Sequence, residues 1–171
     1  VSWHRYLFSF RGRVNRARMW LFYVVAWAAE MALIVFMLLA YGILVATGLV
    51  DASSERQSVY PGIGALVTVA VFLIALYYAY FAVTVKRLHD RNKSAWWLLV
   101  FFVVPMLLIF ASEIPLEARL ISPDDERMRL ALFSPGLIGM ALSIWGFVEI
   151  YCLRGTVGDN RYGADPLAGR A

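Results

Sequence analysis

KRLHDRNKSAWW, residues 86–97, is the stretch whose reading decides the fold. It carries Lys86, Arg87, Arg91 and Lys93 together with His89, Asp90 and the pair Trp96 and Trp97, and it lies between two long apolar runs. Charges at the end of an apolar helix must stay in water, and indole rings favour the headgroup boundary. The stretch is therefore predicted to be a short hairpin between two membrane-spanning helices, with Trp96 and Trp97 as interfacial anchors.

The composition agrees with that reading. The 171-residue chain is 61% hydrophobic and 16% charged, whereas roughly a quarter of the residues of a soluble protein are charged. The excess apolar surface predicts an all-α integral membrane protein, a single membrane domain over 1–171 with no outside segment long enough to build a core of its own. A net charge of +4 would suit nucleic acid in a soluble protein. Here the basic residues cluster beside apolar runs, so a bilayer with anionic lipids is the expected partner and nucleic acid is not. Cys152 is the only cysteine, which excludes an intramolecular disulfide and a thiolate metal cluster.

On the N-terminal side of the hairpin, residues 61–85 form a predicted span opened by Pro61 and Gly62, and 51–60 is a short polar link. Residues 19–50 form another span in which only Glu30 is charged. That run exceeds the roughly 20 residues a bilayer needs, so it tilts or protrudes, and it is too long for a signal-peptide core and should stay as an anchor. Trp20 marks its interfacial end. In residues 1–18, Trp3, Leu7, Phe10 and Val14 recur at helical spacing, which predicts an amphipathic interfacial helix interrupted near Gly12, with Asn15 capping the next helix.

On the C-terminal side, residues 95–111 form a third span, kinked at Pro105. Ser122, Pro123, Asp124, Asp125 and Glu126 then make a helix-start signature, predicting a short extracytoplasmic helix over 123–132. Ser134 and Pro135 open a fourth span, 135–153, and the Gly-, Asp- and Asn-rich tail 154–171 is a turn-forming segment. Five Lys or Arg precede the first span, four lie in the hairpin and three in the tail, against one and three in the two other connections. The positive-inside rule then puts both termini and the hairpin in the cytoplasm of a bacterial inner membrane.

Three motifs, FRGRVNRARMW at 10–20, RLHDRNKSAWW at 87–97 and GDNRYGADP at 158–166, together with the proline-broken third span, resemble the bacterial inner-membrane family catalogued as domain of unknown function 805. The likeness covers nearly the whole chain. The matching positions are Phe10, Gly12, Arg13, Arg16 and Trp20, then Arg87, Leu88, His89, Asp90, Trp96 and Trp97, then Gly158, Asn160, Tyr162, Gly163, Asp165 and Pro166. Asn92 and Ala95 stand where the family pattern has glycine, and Asn tolerates the left-handed conformation that a turn at 92 would need. The resemblance implies a small membrane protein of unsettled activity.

The candidate site is a cytoplasmic polar cluster of Arg13, Arg16, Arg87, His89, Asp90, Glu149, Asn160 and Asp165. Arg87 can pair with Asp90 at i, i+3, and a histidine at a helix C-terminus suits the dipole. Glu149, about one turn inside the last span, would meet Arg13, Arg16 or Arg87, and Arg87 or Arg91 would meet Asp165 or Asp159 of the tail. Ligand spacing for a metal is absent from the sequence, no cofactor motif is seen, and no catalytic residue is assigned. The favoured reading is a non-enzymatic component or accessory subunit that binds another membrane protein, a second copy of itself, or lipid. Its rivals are a small transporter or channel subunit using Glu30 and Glu149, and an enzyme acting on a lipid headgroup through His89 and Asp90.

Overall fold

Long apolar runs with few breakers become long helices, because in lipid every backbone polar group must be satisfied within its own segment. The computed structural model describes residues 3–50, 55–117 and 126–169. Helix α1 is Trp3–Phe8, α2 Arg16–Ala46, α3 Glu55–Asp90, α4 Val104–Glu117 and α5 Glu126–Phe147. A π-helical turn, Leu99–Val103, leads into α4, and a second, Val148–Cys152, follows α5. Among the described residues there is no strand, only an isolated bridge between Asn160 and Gly163. Helix α2, the Ile63–Asp90 part of α3 and the Phe133–Cys152 stretch are long and apolar enough to cross a membrane, and Leu99–Ser112 is a shorter apolar helix.

The chain packs as two compact units, one of Val1–Ser9 with Ala17–Val83 and one of Phe10–Arg16 with Thr84–Ala171. In the first, α2 closes on α3 through small and aromatic side chains. Met19, Phe22 and Ala26 are buried, as are Ala79, Ala82 and Val83. The Tyr80 ring meets Phe22 edge-on and Tyr23 at a tilt, each with 5.2 Å between centroids. The Tyr6 hydroxyl donates to the Arg18 carbonyl at 2.8 Å and folds α1 back onto the start of α2. Leu38, Phe36 and Leu66 are each more than 60% exposed, a surface that only lipid or a partner would cover in a stable protein.

In the second unit α4 packs on α5 through a stripe of small residues. Gly136, Gly139, Ser143 and Gly146 repeat at helical spacing, and a Cβ at Gly139 would lie 2.9 Å from the Pro105 carbonyl oxygen. A Cβ at Gly146 would lie 2.7 Å from that of Phe101. Such close backbone approach is how helices associate in lipid, where burial of apolar surface gives no preference for a neighbouring helix over an acyl chain. Trp97, Phe101 and Trp145 close one end as an aromatic trio. A π turn precedes Pro105, and in it the Val104 N–H donates five residues back to the Leu99 carbonyl.

Several boundaries differ from the sequence expectation, among them the end of α2 at Ala46 rather than 50 and that of α4 at Glu117 rather than 111. Helix α1 ends at Phe8, so Phe10 and Val14 lie outside it, and Gly12 takes a φ of +94°. Helix α3 begins at Glu55 rather than at Pro61, because polar residues prolong a helix into water once the apolar part has nucleated it. Helix α5 runs unbroken from Glu126 through Pro135, where a separate surface helix over 123–132 and a new start were expected. An interior proline loses one backbone bond, which a long helix survives. Residues 122–125 and the connection at 51–54 lie outside the described residues.

Candidate functional site

The polar cluster begins with the way α3 stops. The Lys93 N–H reaches back to the Leu88 carbonyl at 2.8 Å and the Asn92 N–H to the His89 carbonyl at 2.9 Å. This double closure needs a left-handed residue, and Asn92 supplies it with φ 57°. The chain thus turns sharply after Asp90 and leaves Arg87, Asp90 and Arg91 at the end of the helix.

The π turn that follows α5 ends in the same unit, leaving carbonyls at and just beyond it without an intrahelical partner. Arginines take them. The fully buried Arg87 donates from Nε to the Ile150 carbonyl at 2.8 Å and from Nη2 to the Leu153 carbonyl. Arg16 donates to the Cys152 carbonyl and Arg91 to that of Arg154. Cations here also meet the negative end of the helix dipole.

Asp90 joins the helix end to the N-terminal segment. One carboxylate oxygen accepts from Arg87 Nη1 and the other from Arg13 Nε at 3.1 Å. The side chains of Arg13, Arg87 and Asp90 are 1%, 0% and 3% exposed. Two guanidinium groups against one carboxylate leave an excess positive charge, which would be costly if nothing else met it. Main-chain carbonyls meet it. Arg13 donates to the Thr156 and Gly158 carbonyls, both at 2.6 Å, and more weakly to that of Gly163 at 3.3 Å.

The tail therefore docks on the end of α3. The Thr156 N–H and hydroxyl both donate to the Asp90 carbonyl, at 2.8 and 3.0 Å. Asn160 Nδ2 donates to the His89 carbonyl at 3.0 Å and to the Thr156 hydroxyl at 2.9 Å. The Tyr162 ring stacks on the His89 imidazole, centroids 3.9 Å apart and planes 4° from parallel, and His89 Nδ1 lies 3.3 Å from the Gly12 carbonyl oxygen. Arg161 lies over the Tyr162 ring and donates to the Asn92 carbonyl at 3.1 Å. The Val14 N–H donates to the Lys86 carbonyl at 3.2 Å and completes the seam.

Several pairings differ from those expected. Glu149 is buried and meets Arg91 Nε at 3.0 Å and Lys93 Nζ at 3.7 Å rather than Arg13, Arg16 or Arg87. Lys93 also lies over the Trp97 ring. Asp165 does not reach Arg87 or Arg91. It accepts from the Gly158 N–H at 2.8 Å and the Leu167 N–H at 2.9 Å, and those two bonds hold its carboxyl below the usual range. Asp159 accepts from the Asp165 N–H. Glu30 is half-buried in α2, in the first unit, while Trp20 and Trp96 are exposed. Gly155 and Thr156, which the sequence reading passed over, prove central, and nothing in their identity announces it. Among the described residues every buried side-chain nitrogen and oxygen has a partner, and no group of three His, Cys, Asp or Glu side chains converges as a metal site.

The segments that meet in this cluster are those that carry the three motifs, and a family defined as "Protein of unknown function (DUF805)" matches residues 7–164. The chain belongs to the DUF805 family. Among the proteins similar to this chain, "Uncharacterized protein YiiR" of Escherichia coli K12 is 30% identical over 94% of this chain and 88% of its own length. "Inner membrane protein YhaH" of the same organism is 28% identical over 92% of this chain and 87% of its own. No solved structure matches. The segments that build the cluster, 12–16, 86–93 and 149–163, all lie within the matched residues.

Proposed function

We propose that this chain is a four-span protein of the bacterial inner membrane, with both termini in the cytoplasm, acting as a non-enzymatic component that binds another membrane protein or lipid. The observation that carries the architecture is the meeting of residues 12–16, 86–93 and 150–163 in one hydrogen-bonded cluster. Segments bonded to one another lie on one side of a bilayer, so the crossings between residues 16 and 86, and between 93 and 149, must be even in number. Helices α2 and α3 supply the first pair, and α4 with its π turn supplies the second with α5. The arginine-rich composition of all three segments favours the cytoplasmic side, and the printed name of YhaH agrees with an inner-membrane location.

A non-enzymatic role is favoured because the chemically suggestive groups are spent on structure. Arg13, Arg87 and Asp90 hold the tail, His89 is clamped between Tyr162 and Gly12, and Glu149 is held by two cations. Two measurements test this. In a Cys152→Ser background, single cysteines at positions 54 and 122 should react with an impermeant thiol reagent added to intact cells, whereas one at Ser94 should react only after permeabilisation. Labelling of Ser94→Cys in intact cells would overturn the topology. In proteoliposomes the purified protein should pass no proton or ion current above the empty-vesicle rate. A current abolished by Glu149→Gln would replace this reading with that of a transporter.

A further inference from the structure

In the first unit, α1, α2 and α3 enclose a groove of about 670 Å³, within the ~300–1,000 Å³ of sites that hold small ligands. It has one polar end. Arg18, Tyr6 and Trp3 stand there, and the walls continue along α2 past Ala26 to Ala29 and along α3 from Leu76 to Phe72. From residue 18 to residue 29 the helix rises about 16 Å, so the groove descends from a basic end into the apolar body of the span. The two alanines leave the room that larger side chains would fill. At the polar end the Tyr6 hydroxyl is committed to the Arg18 carbonyl, and burial pushes its phenol up, so it remains a donor and keeps α1 in place.

We propose that this groove holds one acyl chain of an anionic glycerophospholipid, with the lipid phosphate at Arg18. The groove lining runs along α2 from Arg18 to Ala29, as an extended chain requires, and the single charged wall residue lies at the end where a headgroup would sit. Arginine matches a phosphodiester in both charge and geometry. Trp3 at the same end suits the headgroup boundary. A water-soluble ligand would leave the lower walls, from Ala26 to Ala29, without a match.

The site deepens the proposed binding of lipid and rests on the chain lying in a bilayer. A chain that left membranes on carbonate extraction would fail that reading, whereas one that stayed but bound lipids without preference would fail this inference alone. The test is native mass spectrometry of protein released from micelles containing equal amounts of phosphatidylglycerol and phosphatidylcholine. The unaltered chain should retain one phosphatidylglycerol preferentially, and Arg18→Gln should lower that preference about tenfold, as expected for loss of one charge-assisted hydrogen bond. Ala29→Phe puts a ring into the apolar part at an exposed position and should abolish retention with an unchanged melting temperature. Should that ring lower the melting temperature, Ala29→Leu serves with the same expectation. Equal retention of the two lipids, or retention indifferent to both substitutions, would overturn the site.

Discussion

Asp90→Ala should destabilise the protein by about 3–5 kcal/mol, the range for breaking a buried ion pair by removing one partner. The reason is what remains. Arg13 and Arg87, 1% and 0% exposed at their side chains, would face each other across the vacated carboxylate with only carbonyl oxygens to meet their charge. Asp90→Asn keeps the shape and one acceptor oxygen and should cost less, about 1–3 kcal/mol. Reversible unfolding in mixed micelles measures both. A loss under 1 kcal/mol for Asp90→Ala would mean that the arginines reach water without their partner, and the cluster would not be a clamp.

Gly155→Ala should cost about 3 kcal/mol, at the upper end of overpacking effects, although it adds only a methyl group. A Cβ at Gly155 would lie 2.0 Å from one Asp90 carboxylate oxygen and 2.5 Å from its carbon. The carboxylate cannot yield, because Arg13 and Arg87 hold its two oxygens from different directions. The tail must move instead, stretching the two bonds from Thr156 to the Asp90 carbonyl. Gly158→Ala offers the contrast: its φ of +77° imposes strain, but the added carbon would meet open space, so about 1–2 kcal/mol is expected. The decisive comparison is the double variant. If the clash is with Asp90, Gly155→Ala should cost nearly nothing in an Asp90→Ala background, a coupling visible only between residues in contact. Additive losses would contradict the packing described here.

The helices were legible because hydropathy and length are summed over many residues. The apolar runs around Glu30 and between Pro61 and Val85 could be little else, and the turn at Asn92 was expected from the family resemblance, whose pattern has glycine there, together with the tolerance of Asn for positive φ. The i, i+3 pairing of Arg87 with Asp90 follows from helix geometry alone. Most members of the cluster were named from the sequence, but their other partners were not readable, for a specific physical reason. Its arginines bond mostly to main-chain carbonyls of Ile150, Cys152, Leu153, Arg154, Thr156 and Gly158. Every residue carries a carbonyl, so such partners leave no mark on the sequence. The choice of Arg91 and Lys93 for Glu149 likewise depends on how α5 is rotated, and the π turn at Val148–Cys152 alters that rotation by a fraction of a turn. The start of α3 was misplaced where polar residues continue the helix to Glu55, and the break expected at Pro135 did not occur because α5 runs through it.

The tail is held by the end of α3, and amide hydrogen exchange in lipid nanodiscs measures that directly. Peptides covering residues 154–163 should exchange far more slowly than an unstructured segment, with the Thr156 amide, bonded to the Asp90 carbonyl at 2.8 Å, among the slowest. In Asp90→Ala the same peptides should lose their protection while those from the middle of α3 keep theirs. Exchange of residues 154–163 at the unstructured rate in the unaltered protein would contradict the clamp and, with it, the argument that the three arginine-rich segments share one face of the membrane.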